Sequence, residues 1–410
     1  LKKTDVVSGN VVSLLDSSII QQIAAYALQP GGVVSRKYIS PHLTLFLTLT
    51  NVQGVPYLLS SDASGSLEEY VAYHGDRIRF ELVTPGAPPL GRAAHPLPVG
   101  RPGEGAWPLL QQAAMATGAV PGALAPRVIE RNVSDYKVPG WESFDDTLAD
   151  VSPAWKLTAD QTWRTLNVDG GTIDNNPFDL AEDYLATLDP PFPAGNPSNS
   201  LQASRAVLSI APFPSGRPFD AAFDPAKNAQ LQNVIPTLLD VLLTQSRFSG
   251  ESLASVASGV SFSRFAIAPS DAAMPDGKAL QCGALGAFGG FFDRGYRAHD
   301  YQLGRRNCQR FLERRFLLPA TNVVMAAGLA AAGANQAQVV DKFKQPPPSD
   351  YATPRDVPWI PVIPLCGSAL EEVFQPGRAT VTDKDLDDIT SLILHRAKTL
   401  KPKGIHYVDC

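Results

Sequence analysis

Cysteine is scarce and scattered. The four thiols, Cys282, Cys308, Cys366 and Cys410, are far apart and form no Cys-x-x-Cys pair. That spacing argues against a zinc site or a dithiol redox motif and fits free thiols in a reducing compartment. A membrane-spanning run is missing as well: the most apolar stretch, 323–334, is too short and too alanine-rich to cross a bilayer. The first residues, Leu1-Lys2-Lys3-Thr4-Asp5, lead into polar and mixed sequence, so no signal peptide is visible. The formal net charge is -5, and a weakly acidic chain does not attract nucleic acid through its global field. His42, His74 and His95 have no partners at ligand spacing and read as surface or satisfied core residues. No metal or cofactor is expected, and no tandem repeat is evident.

What the chain does have is apolar residues in globular proportion, 44%, which over 410 residues suffices for one large or two ordinary domains. Its 36 prolines and 32 glycines imply many loops. Helical spacing of Ile19, Ile20, Ile23, Ala24 and Ala27 after Ser17 or Ser18 predicts an amphipathic helix ended by Pro30-Gly31-Gly32. Alternation predicts strands over 43–49, 55–59 and 80–83, with a turn at 51–54. A helix is expected over 106–117 with Trp107, Leu110, Ala113 and Ala114 on one side, broken at Gly118. Residues 126–160 read as irregular, pinned by Trp141, Phe144 and Trp155.

Further on, strands are expected at 163–168, 206–211 and 262–268. Helices are expected at 179–188, 234–246 and 326–337, and a last amphipathic helix is capped by Thr382 with Leu386, Ile389, Ile393 and Leu394 inward. The strand, helix and strand between 163 and 211 read as one βαβ unit. The aromatic and arginine-rich segment 283–316 reads as two helices broken near Gly304. Its guanidinium groups are expected on Asp293, Asp300, Glu313 and helix carbonyls rather than on anionic lipid heads.

The chain is organised around Arg164–Phe178, Arg-Thr-Leu-Asn-Val-Asp-Gly-Gly-Thr-Ile-Asp-Asn-Asn-Pro-Phe. Strand-type residues Trp163, Thr165, Leu166 and Val168 lead to Asp169, and Gly170-Gly171 allow positive φ and close approach. A carboxylate at the end of a strand can face a cleft. Taken alone, the stretch reads rather as an Asp-Gly turn hydrogen-bonded to itself. A carboxylate metal site of Asp169, Asp174 and Asp179 lacks His or Glu partners at ligand spacing and ranks last.

Four segments in order carry a resemblance: 38–57 with His74-Gly75-Asp76, the window 116–123, the Asp-Gly-Gly strand with Asn175-Asn176-Pro177-Phe178, and 296–312. Together they resemble the patatin-like phospholipases of bacteria over roughly residues 10–320. The resemblance implies a three-layer α/β/α fold with a central, mostly parallel sheet. It implies residues 1–320 as the carboxyl-terminal part of a patatin-like domain and 321–410 as a helical extension. It also implies acyl transfer by a Ser-Asp dyad, with Asp169 as general base supported by Gly170 and Gly171, on a lipid or ester substrate and with peripheral membrane contact. The expected location is cytoplasmic or peripheral to a membrane. No Gly-x-Ser-x-Gly and no glycine-rich oxyanion segment occurs; Gly250-Glu-Ser252 and Gly259-Val-Ser261 lack the second glycine and follow Asp169. With Leu1 as first residue, the expectation is a domain incomplete at its amino-terminal side. The chain would then be half of a dyad, inactive alone, or else a non-catalytic lipid-surface or protein-interaction module on a degenerate fold.

Overall fold

The computed structural model describes residues 12–34, 36, 38–40, 42–61, 68–84, 94–101, 103–136, 153–174, 177–188, 197–211, 222, 224–231, 233–234, 237–238, 241, 261–271, 274, 279–283, 289–291, 293–348, 354–371 and 382–400. The protein is mixed α/β, with a five-stranded mixed sheet, two two-stranded sheets and several helices. It divides into two compact units, Leu1–Pro177 with Pro236–Arg247 and Thr390–Cys410, and Phe178–Ile235 with Phe248–Ile389. The expected boundary at 320 falls inside the second unit.

The first unit holds the large sheet. Its strands are β1 (His42–Ser61), β2 (Glu68–Val83), β3 (His95–Pro98), β4 (Arg127–Asn132) and β5 (Thr162–Asp169), in the order β3-β2-β1-β5-β4. Only β2 and β3 pair in parallel; β1–β2, β1–β5 and β4–β5 are antiparallel. The expected mostly parallel sheet is therefore corrected here. Two long sequential strands fold back on each other as a hairpin, and a hairpin is antiparallel.

The turn expected at 51–54 is a bulge inside β1. Register shifts between Thr50 and Val55, Gly54 takes φ 77, and a β-carbon there would stand 3.0 Å from the His74 ring. The strand thus bends without ending, as bulged strands do.

Helix α2 (Trp107–Thr117) lies on this sheet. Ala113 and Ala116 are fully buried beside Leu49, Ile78, Phe80, Leu97, Leu110 and Ile129. Short side chains there let helix and sheet approach. Helix α1 (Ser18–Ala27) buries Ala24 but leaves Ile19 and Ile23 more than half exposed, so the expected packing face is covered only in part.

Strand β4 lies in the region expected to be irregular. Its inward positions are Ile129 and Arg131, and the charge at the second breaks the apolar alternation. Arg131 is buried because it has partners. Its guanidinium pairs with the Asp76 carboxylate and donates to the Tyr136 hydroxyl at 2.6 Å and to the Arg77 carbonyl at 3.3 Å. Burial alone would lower its pKa; the charge of Asp76 more than reverses that. Burial also pushes the Tyr136 phenol up to about 12. Trp155 and Trp163 meet the Tyr136 ring edge-on, so Trp155 does pin the segment. Trp141 and Phe144 lie outside the described residues.

The second unit carries the parallel pair β6 (Val207–Ile210) and β7 (Arg264–Ile267), with α3 (Phe178–Thr187) before it and a single turn, α4 (Pro225–Asn228), between its two strands. The expected βαβ unit is corrected: β5 and β6 belong to different sheets. Most of the helix expected at 234–246 lies outside the described residues. Helix α5 (Arg294–Arg314) runs unbroken through Gly304, against the expected break, because Asp293 caps it and one helical glycine costs too little to end it. The expected helix 326–337 is instead α6 (Val323–Ala331) and α7 (Gln336–Phe343), separated by Gly333 at φ 57. Strands β8 (Leu317–Pro319) and β9 (Trp359–Pro361) pair over a core of Phe262, Leu317, Leu318 and Trp359.

Helix α8 (Asp383–Leu400) opens with a reciprocal box in which Thr382 N donates to Asp385 Oδ2 and Asp385 N donates to Thr382 Oγ1. Its Leu386, Ile393 and Leu394 are about half exposed rather than inward. Among the described residues, no single helix is long and apolar enough to cross a membrane.

Two stability predictions follow from this packing. Removing one partner of the buried ion pair, as in Asp76→Asn, is expected to cost about 3–5 kcal/mol. The double change Asp76→Leu with Arg131→Met should recover much of that loss in urea unfolding. Equal stability of wild type and the single variant would refute the burial argument.

Candidate functional site

Strand β5 ends at Asp169, the best candidate for chemistry in the sequence, and the chain turns at once into a short 3-10 helix, Gly170–Thr172. Each part of the turn is held. Asp169 N donates to the Ala119 carbonyl at 3.0 Å, and the Thr50 hydroxyl donates to the Asp169 carbonyl at 2.9 Å. Leu49 pairs directly opposite Asp169 across β1–β5.

Gly170 is required by proximity. A β-carbon on it would lie 2.1 Å from the Thr48 carbonyl oxygen, well inside contact distance. Neither Gly170 nor Gly171 adopts positive φ, so the reason expected from the sequence is only half right. The same Thr48 carbonyl accepts a hydrogen bond from Thr117 Oγ1 at 2.7 Å, which anchors the end of α2. The window 116–123 is thus beside the strand end, with Ala116 and Ala119 buried.

The carboxylate of Asp169 accepts one bond, from Gly171 N to Oδ1 at 2.8 Å. No cation pairs with it among the described residues. Burial raises its pKa above the ordinary carboxylate value, and the Gly171 N–H opposes that rise. A carboxyl made more basic by desolvation is better suited to taking a proton than a surface aspartate. The hydroxyls held around the turn are threonines. Thr48 Oγ1 donates to the Asp174 carbonyl and Thr50 Oγ1 to that of Asp169, so both are engaged with backbone.

The structure brings Asp169, Gly170 and Gly171 together in one turn. It gives the remaining carboxylates other surroundings: Asp174 contributes a backbone carbonyl to Thr48, and Asp179 lies 4.0 Å from Arg264. No group of three His, Cys, Asp or Glu side chains that could hold a metal occurs among the described residues. His74 hydrogen-bonds the Asn51 carbonyl, as a packing residue would. The supports missed from sequence are Thr48 and Thr117, whose roles come from strand register and helix packing over separations of up to 126 residues.

Three substitutions test this geometry. Gly170→Ala should destabilise by about 3 kcal/mol, at the upper end of overpacking costs. Gly304→Ala, where an added carbon meets nothing within 4 Å, should instead stabilise helix α5 by up to about 1 kcal/mol. The third follows from the sign of the Asp169 shift. A raised native pKa means that the folded state holds its proton to higher pH than the unfolded state, so ionisation subtracts stability as pH rises through that window. Asp169→Asn is therefore expected to be more stable than wild type at pH 7, with the gain vanishing below about pH 4, where the unfolded carboxyl is also protonated. Urea unfolding at the two pH values reads both arms.

No protein-family model matches the chain. No solved structure matches it. The chain is similar to an uncharacterized protein, y4iI, of Sinorhizobium fredii, with 31% identity over 407 residues covering 91% of this chain and 55% of that protein. The chain thus spans little more than half the length of the curated relative it matches.

Proposed function

We propose that the chain belongs to a lipid acyl hydrolase of patatin type, in which Asp169 is the general base for a serine supplied by sequence outside these 410 residues. The observation that carries the reading is the state of Asp169: at a strand end, half-buried, unpaired with any cation among the described residues, and made more basic by burial. In the reaction Asp169 takes the serine proton as the serine oxygen attacks the ester carbonyl. The alcohol leaves with a proton, and water then releases the acid from the acyl-serine. That transfer needs the serine oxygen within about 3 Å of the carboxylate. The bond from Asp169 N to Ala119 and that from Gly171 N to Oδ1 support the reading, because they hold the turn and one carboxylate oxygen before any substrate arrives. On this reading the five-stranded sheet is one part of a three-layer α/β/α domain. The nucleophile elbow and the oxyanion amides would then come from outside the chain. The nearly half of y4iI that lies outside the match leaves room for such a segment.

The second reading, a non-catalytic lipid-surface or protein-interaction module, draws on the antiparallel bias of the large sheet and on hydroxyls at the turn that already serve the backbone. One experiment separates the two. The 410-residue chain alone should not cleave a p-nitrophenyl ester. A longer form carrying its natural flanking sequence should cleave it, and Asp169→Asn in that form should lower kcat by about 10²–10⁴-fold without loss of folding. The wild-type rate should rise with pH through an apparent pKa above the ordinary carboxylate range. Undiminished hydrolysis by Asp169→Asn would overturn the assignment, and a longer form without activity would favour the second reading.

A further inference from the structure

Strands β6 and β7 are the parallel pair, and both end at the same place, at Ile210-Ala211 and Ile267-Ala268. Space beyond the carboxyl ends of parallel strands is where open α/β sheets take ligands. Here that space is a cavity of about 610 Å³, open on one side and within the range of small-molecule sites. One wall is apolar, with Ile210, Ile267, Leu280 and Leu303. The rest is α5, which presents Arg297, Tyr301, Gly304, Arg305 and Cys308 at helical spacing and, beside Leu303, also Asp300 and Asn307.

Three features of this face point to a ligand. The first is Gly304. It sits in mid-helix, where glycine costs about 1 kcal/mol relative to alanine, and an added β-carbon would meet nothing within 4 Å. Its missing side chain is part of the cavity rather than a packing necessity. The second is charge. Helix α5 carries six arginines against two carboxylates, Asp300 and Glu313; Glu313 lies 3.7 Å from Arg314, as expected, while Asp300 is engaged elsewhere. Asp300 accepts from Gln281 N at 2.9 Å, Cys282 N at 2.8 Å and His299 Nδ1 at 2.9 Å, while Asp293 caps the helix. Arg297 is left donating to the Gly290 carbonyl and Arg305 to the Gln302 side-chain carbonyl at 3.0 Å, so neither meets a carboxylate among the described residues. The third is inertness. The Cys282 thiol is pushed up to about 12, by burial first and by Asp300 next, so this lining group is not a ready nucleophile.

We propose that this cavity binds a small amphiphile with an apolar body and one carboxylate end. The body lies between Ile210, Ile267 and Leu303, and the carboxylate reaches the exposed guanidinium of Arg305 at the rim, where a planar fork matches a planar anion. The site is independent of Asp169 and stands whether or not the chain belongs to a hydrolase.

Calorimetry of the full 410-residue chain with decanoate, decanol and decyltrimethylammonium tests it. Decanoate should bind saturably at one site, decanol about tenfold more weakly, and the cationic chain more weakly still. Gly304→Leu should fill the cavity and abolish decanoate binding, with circular dichroism unchanged and the melting temperature not lowered. Arg305→Gln should weaken decanoate about tenfold and leave decanol alone. Equal binding of the three probes, or full decanoate binding by a folded Gly304→Leu protein, would overturn the proposal. If Gly304→Leu fails to fold, the Arg305→Gln comparison decides by itself.

Discussion

The backbone carbonyl of Thr48 leaves no room for a side chain at residue 170, and much of the first unit is arranged around that closeness. On one side the Gly170 backbone passes against it. On the other, Thr117 donates to it from the end of α2. Two further bonds, Asp169 N to Ala119 and Thr50 Oγ1 to Asp169, close the arrangement. Three elements are thereby locked where they meet: a bulged strand, a helix of small residues, and the turn after β5. Backbone groups at such a crossing must find partners, and here threonine hydroxyls and loop carbonyls supply them. The Asp169 side chain at this crossing is held by one bond, from Gly171 N.

Two aspartates show how hydrogen bonding decides what a carboxylate can do. Asp169 is desolvated and receives one N–H, so its proton affinity rises. Asp300 is also partly buried, but two backbone amides and the His299 ring outweigh that burial, and its proton affinity falls. The first is a candidate base; the second is an anchor that ties the chain at 281–282 to helix α5. The same logic permits Arg131 in the core, where Asp76 and Tyr136 replace the water it has lost. Charged groups inside this protein are therefore structural wherever their partners are complete.

Much of the local structure is legible in the residues. Strong alternation in Leu43–Leu49 marks β1, the apolar run at 206–211 marks β6, and Thr382 with Asp385 marks the start of α8. The errors have specific causes. Asn51-Val52-Gln53-Gly54 is indistinguishable from a hairpin turn until β2 is seen to pair on both sides of it. Strand β4 is hidden because its second inward position is an arginine whose partner, Asp76, lies 55 residues away. Gly304 looks like a helix breaker, but in α5 it is an uninterrupted position facing open space.

The sequence by itself determined that Asp169 stands at the end of a strand and that two glycines follow, because strand propensity and glycine are local signals. It also determined the cap at Thr382 and the strands β5, β6 and β7, which depend on neighbours a few residues away. Only the tertiary structure decided that the large sheet is mostly antiparallel, that Gly170 is needed for contact rather than for positive φ, and that β6 pairs with β7 and not with β5. The reason is physical: pairing direction, burial and proton affinity are set by groups up to 383 residues apart, and no local pattern encodes who those partners are.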